Sequence, residues 1–291
     1  MSKALPTAVL GRTGLEVTRL SFGAMEIRGS RIWNGRPVTD QQAETILNSV
    51  LDEGINFIDT ANDYGRSEEF IGKYIAHRRK EFYLATKCGC TVVRQDENTD
   101  ETPHVWTRDN LFRGLEESLQ RMRTDHIDIM QLHNPPADVT EQNQLVNALQ
   151  EMQQQGKVRF ISVSTTLPHL PAYLQWGVFD TFQIPYSALE RDHENWISRA
   201  AEAGIGTIIR GGVARGEAQD VLEDGQLIGG GVGVGGGVAV LAPHDEVLVQ
   251  VNVAGDEGKA GIDPAELEDA RSRIIAAADA ERRRIERDLH D

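Results

Sequence analysis

Along the first two thirds of the chain, short apolar runs alternate with longer amphipathic segments. Runs at residues 19–24, 56–59, 82–87, 127–133, 159–164, 181–184 and 207–210 read as strands, because they are brief, apolar and bounded by turn residues. Helical periodicity fills the gaps at 40–53, 67–78, 108–123, 141–155, 170–175 and 192–203. Thr39 and Thr107 stand where N-caps belong, and Gly54, Gly156 and Gly204 where helices should stop. Ahead of the first of these strands, residues 8–10 and 15–20 flank the turn Gly11-Arg12-Thr13-Gly14, the pattern of a β-hairpin. Strands separated by helices imply parallel pairing through right-handed crossovers. An open doubly wound sheet and a (β/α) barrel both satisfy that pattern.

The polar residues favour the barrel. The strands end on Asp59, Lys87, His133, Ser164, Gln183 and Arg210, side chains that an apolar interior would reject. In a TIM-type (β/α)8 barrel the carboxyl ends of all strands converge on one mouth, where active sites are built. Asp59 and Lys87, on adjacent strands, are placed to pair, which keeps both charged in a dry site. Tyr64 lies five residues beyond Asp59, in the loop over the same mouth. A neighbouring ammonium favours the ionised phenol, so the Tyr64 pKa is expected to fall from about 10 toward neutrality. Tyr64 then becomes a proton donor tuned by Lys87, with His133 available to hydrogen-bond a substrate oxygen. The set holds no hydroxyl or thiol nucleophile beside a base, which argues against acyl transfer. It suits protonation of a carbonyl oxygen while a hydride arrives from a cofactor. Trp33 and Trp106, in loops at the same end, are candidates to wall the substrate pocket.

These residues carry a family resemblance. The stretch from Gly54 to Glu68, GINFIDTANDYGRSE, resembles the signature of the aldo-keto reductases, a family of nicotinamide-dependent (β/α)8-barrel oxidoreductases. Leu84-Ala85-Thr86-Lys87 is similar to that family's lysine strand, and the run from Asp128 through His133 to Pro135 to its histidine strand. Later strands match at 156–164 and 183–187, and the resemblance extends from about residue 10 to 217. It implies that Tyr64 is the general acid and base, with Asp59, Lys87 and His133 completing a tetrad. It further implies that Ser164 and Gln183 hold the nicotinamide carboxamide and that Tyr186 stacks on the ring. Arg210, Gly211 and Gly212 fall in the loop that follows the cofactor's pyrophosphate. NADP is the expected cofactor, with NAD an alternative, and the substrate a small-molecule carbonyl or alcohol. One departure lies in the site itself, since Thr165 stands where the family commonly has Asn.

Beyond residue 217 the pattern changes. A glycine-dense segment over 218–262 contains a G-x-G-x-x-G match at Gly231, Gly233 and Gly236, but it opens no helix and does not read as a dinucleotide fingerprint. Residues 238–242 and 246–253 are apolar enough to substitute for an eighth strand; without one, the barrel would be left incomplete. A charged helix is expected over 263–291, and its end, through His290, resembles the start of a sensor histidine kinase phosphoacceptor helix. Three units follow: a barrel over 1–217, the glycine-rich segment, and the terminal helix. Two alternatives to a working reductase remain open at this stage: an impaired fusion or frameshift product, and a signalling fragment.

Charge narrows the partners. With 45 acidic against 30 basic residues in 291, the net charge is −15, which repels nucleic acid and anionic membranes. No apolar run reaches the length of a membrane span, and the first residues lack a signal-peptide core, so a cytoplasmic location is expected. The two cysteines, Cys88 and Cys90, cannot build a disulfide framework and read as reduced thiols at a strand end; no metal site is expected.

Overall fold

The computed structural model describes residues 5–187, 191–211 and 247–251. It opens with an antiparallel hairpin of β1 (Thr7–Val9) and β2 (Glu16–Thr18). The parallel strands follow: β3 (Leu20–Gly23), β4 (Phe57–Asp59) and β5 (Tyr83–Cys88). A small antiparallel hairpin of β6 (Val93–Arg94) and β7 (Asp100–Glu101) interrupts them. The series resumes with β8 (Ile127–His133), β9 (Val158–Ser164), β10 (Thr181–Pro185), β11 (Gly206–Arg210) and β12 (Val247–Val251). The eight parallel strands close into a barrel in which each pairs with its neighbour in sequence and β12 returns to β3.

The eighth strand therefore comes from the second of the two apolar segments considered for it, in register Val249 with Leu20 and with Ile209. The remainder of the glycine-rich segment, Gly212, the G-x-G-x-x-G match and the terminal segment with His290 lie outside the described residues.

Helices α1 (Asp40–Asp52), α2 (Ser67–Tyr74), α3 (Arg108–Met122), α4 (Ala137–Gln142), α5 (Leu145–Gln154), α6 (Leu170–Trp176) and α7 (Glu194–Glu202) wrap the barrel. Thr39 caps α1 in a reciprocal capping box with Gln42, and the Thr107 side chain accepts the Asn110 N–H at the start of α3. Two helices depart from the sequence pattern. The helix expected over 67–78 stops at Tyr74, after which residues 76–81 form a tighter 3-10 turn. The single helix expected over 141–155 is divided because Gln144 takes a left-handed φ of 51°.

Strand alternation sorts the side chains into two cores. Ile58, Leu84, Met130, Leu132, Ile161, Val163, Phe182, Ile184 and Ile209 face outward and pack under the helices. Phe57, Ala85, Ile129 and Ile208 point inward and meet Leu10, Leu15 and Val17 of the opening hairpin, which plugs the floor. The plug fits because Gly11 adopts φ +50° against Gly206, where a Cβ would lie 2.1 Å from the Gly206 nitrogen. Gly11→Ala should therefore destabilise the fold by about 1–3 kcal/mol. A lower urea midpoint with an unchanged slope would register that loss.

Candidate active site

One inward step above the apolar floor, two residues along each strand, the inward positions become polar. On β4, β5 and β8 they are Asp59, Lys87 and Gln131, each two residues beyond an apolar floor residue. The Lys87 ammonium donates to Asp59 Oδ2 at 2.6 Å and to the Thr60 carbonyl at 2.8 Å. Gln131 Nε2 donates to the other Asp59 oxygen at 2.6 Å. Side-chain exposure is 1% for Lys87 and 0% for Asp59, so water does not screen the pair. Burial opposes the Lys87 charge, but the Asp59 carboxylate and the Tyr64 phenol outweigh it and raise its pKa above the ordinary value.

Tyr64 hangs over this pair from the loop between β4 and α2, with the Lys87 ammonium 4.8 Å from its ring centre. Its environment overturns the expected direction of its ionisation. Burial of the phenol is the largest influence and raises its pKa; Lys87 pulls it down, but Asp59 and Asp63 add to the rise. The lysine is where the sequence puts it, yet a fully enclosed phenolate lacks the hydration that a single neighbouring ammonium would have to replace. Tyr64 is therefore protonated at neutral pH. The loop is braced from below by Glu68, which accepts from Thr86 Oγ1 at 2.7 Å and from Arg121 Nη1 at 2.8 Å.

His133 ends β8 with its ring edge-on to Tyr64, the centroids 6.0 Å apart. Its Nδ1 lies 3.1 Å from Cys90 Sγ and 3.4 Å from Asp63 Oδ1. Across the mouth, β9 and β10 set Ser164 beside Gln183 in register. Among the described residues Gln183 Nε2 is buried with no hydrogen-bond partner, while Ser164 Oγ reaches Asn134 Oδ1 at 3.4 Å. Asn134 Oδ1 is also 3.5 Å from Arg210 Nη2. The departing Thr165 is buried; its N–H donates to the Gln183 carbonyl and its hydroxyl to the Thr166 carbonyl. Tyr186 is likewise buried, its N–H donating to the Arg210 carbonyl at 3.2 Å. Gly211 follows β11 with φ +70°, and among the described residues no atom lies within 4 Å of where its Cβ would be.

The two tryptophans take different positions. Trp33 is 49% exposed and meets Tyr64 edge-on at 6.0 Å. Trp106 packs on Gly89, where a Cβ would lie 1.9 Å from its ring, and stacks on His104 at 5.1 Å. Sequence reasoning missed Gln131, Asn134, Asp63, Cys90 and His104 as members of this neighbourhood. Gln131 and Asn134 carried a signal, standing two residues before and one after His133 in the run already singled out.

Because the Asp59–Lys87 pair is sealed from water, removing one partner leaves a bare charge. Asp59→Leu should cost about 3–5 kcal/mol, and the double variant Asp59→Leu/Lys87→Met should recover most of it. A double-mutant cycle from urea midpoints measures both numbers.

Known proteins resemble this chain. The YhdN aldo-keto reductase of Bacillus subtilis is 33% identical over 212 residues, covering 70% of this chain and 61% of its own. An NADH-specific methylglyoxal reductase of Escherichia coli is 32% identical over 200 residues, covering 64% and 60%. The chain spans 60–64% of the length of these and other leading curated relatives. A solved aldo-keto reductase from Bacillus halodurans superimposes with a TM-score of 0.68 at 24% identity, over 94% of this chain and 96% of that one, a likeness of fold. The profile described as "Aldo/keto reductase family" matches residues 19–224, well over half of the sequence, and the chain belongs to that family.

Proposed function

We propose that the protein is a nicotinamide-dependent oxidoreductase that interconverts a small-molecule carbonyl and its alcohol at the mouth of the barrel. The observation that carries this reading is the buried Asp59–Lys87 pair lying directly beneath a protonated Tyr64. A bound dihydronicotinamide would supply the hydride to the carbonyl carbon. Tyr64 gives its phenolic proton to the carbonyl oxygen, and the Lys87 ammonium stabilises the phenolate left behind. Asp59 keeps Lys87 charged and aimed. His133, beside the tyrosine, orients the substrate oxygen, and Trp33 and Trp106 flank the approach.

The residues present suit the cofactor. The orphaned Gln183 Nε2 is a buried donor in need of an acceptor, which a carboxamide oxygen provides. Ser164 stands next to it, Tyr186 supplies an aromatic face, and Arg210 with Gly211 is placed to continue toward the phosphates. The preference between NADP and NAD is open in this reading; family expectation favours NADP, whereas the Escherichia coli relative is named for NADH.

Tyr64→Phe should lower turnover by roughly 10²–10⁴-fold and leave cofactor affinity intact. Quenching of tryptophan fluorescence during NADPH and NADH titrations reads the affinity, and cofactor absorbance reads the turnover. Equal losses in both would remove Tyr64 from the chemistry.

Ionisation of Tyr64 sets the pH dependence. Carbonyl reduction needs the protonated phenol, which the raised pKa keeps populated, so its rate should stay level from roughly pH 6 to pH 9. Alcohol oxidation needs the phenolate and should climb about tenfold per pH unit over that range. A reduction rate that collapses near neutrality would contradict the assignment.

A further inference from the structure

A cluster at the edge of the tetrad shares His133 with it and adds two residues, Cys90 and His104, that the hydride-transfer reading does not use. After β5 the chain continues past Gly89 to Cys90 and runs out through the β6–β7 hairpin. It returns so that Cys90 and His104 face one another across an antiparallel bridge. Two backbone hydrogen bonds fix that bridge, from Thr91 N–H to the Pro103 carbonyl at 2.9 Å and from Val105 N–H to the Gly89 carbonyl at 2.7 Å. Paired residues on such a bridge carry their side chains close together on one face. The end of β8 brings His133 to the same point, its ring 5.7 Å from that of His104. One donor atom from each of Cys90, His104 and His133 lies within 4.8 Å of the others. Among the described residues this is the one such grouping of three.

A second observation points to a cation. Asp63 is 1% exposed, and among the described residues its Oδ1, 3.4 Å from His133 Nδ1, accepts no well-aligned hydrogen bond. A buried carboxylate beside three donor atoms favours positive charge in the space they share.

We propose that Cys90, His104 and His133 form a binding site for a zinc-class divalent cation, and that the bound ion competes with the carbonyl substrate. One thiolate and two imidazoles are the donor set that zinc selects, whereas magnesium and calcium require oxygen ligands. Around a tetrahedral zinc, neighbouring donors sit about 3.4–3.6 Å apart. The Cys90–His133 edge, at 3.1 Å, needs to open by a few tenths of an ångström. The widest separation in the trio, within 4.8 Å, has to close by at most about 1.2–1.4 Å. His104 is the exposed member, stacked on Trp106, so that adjustment falls to its side chain. Thiolate and carboxylate together neutralise the ion, with Asp63 beside the ligands. Three protein ligands leave the fourth position open to the mouth. Ligation draws on His133, whose ring lies edge-on to Tyr64, so the ion and a substrate oxygen call on the same imidazole. The competition rests on the hydride-transfer reading given above; the binding does not.

The test uses the whole chain, stripped with chelator and titrated with cobalt(II) alone as a spectroscopic stand-in for zinc. One equivalent should produce a thiolate-to-cobalt charge-transfer band in the near ultraviolet together with the visible bands of a four-coordinate ion. Added zinc should bleach both. Cys90→Ser should abolish the charge-transfer band, and His104→Ala should weaken binding by about tenfold or more. In carbonyl reduction, zinc should raise the apparent KM with kcat unchanged, and His104→Ala should shift the inhibitory concentration in parallel with its binding. No charge-transfer band in the parent protein, or a band that survives Cys90→Ser, overturns the site. Binding without a rise in KM overturns the competition. A band from a protein that reduces no carbonyl sustains the metal site and defeats the hydride-transfer reading instead.

Discussion

A lysine ammonium and an aspartate carboxylate, held 2.6 Å apart with no water around them, impose more on this barrel than any other contact. Neither charge is tolerable there alone, so each fixes the other, and the strands that carry them have to be adjacent and in register. The register delivers this because β4 and β5 align Asp59 with Ala85, which sets Lys87 one inward step higher and lets its long side chain reach back. Gln131 on the next strand satisfies the remaining Asp59 oxygen. With the cation pinned, the space above it becomes a place where a phenol sits against positive charge and away from solvent.

Enclosure works in two directions at that place. It strengthens the influence of Lys87 on whatever anion forms above it, and it penalises that anion before the reaction begins. The balance leaves Tyr64 protonated at rest. The same enclosure pushes the Cys90 thiol far above its ordinary range, through burial and then the Asp63 carboxylate, so it is a protonated thiol where no metal competes for it.

What was legible in the sequence follows from how local each signal is. The strand ends at Asp59, Lys87, His133, Ser164, Gln183 and Arg210 announce themselves because one polar residue closing an apolar run is visible without a partner. The opening hairpin is equally local, written in Gly11 and Gly14. The direction of the Tyr64 ionisation was not legible, because burial is set by everything that packs around the ring, whereas the lysine is a single residue. Cys90 and His104 are fourteen positions apart and become neighbours only through a bridge that composition does not advertise. The break at Gln144 was equally hidden, since a left-handed glutamine is stabilised by context and not by propensity. Closure of the barrel hung on a choice between two apolar segments, and periodicity alone did not separate them.

That closure has a temporal side. β12 joins β11 to β3, so the last strand of the barrel pairs with the first. During synthesis the preceding seven strands leave the ribosome well before Val247–Val251 does, and until it arrives β3 and β11 each present a row of unpaired amides and carbonyls. The contacts that finish the fold are thus among those of highest sequence separation, formed late and slowly. A nascent chain in that interval is an open sheet with two adhesive borders, the kind of species that chaperones shield from its copies.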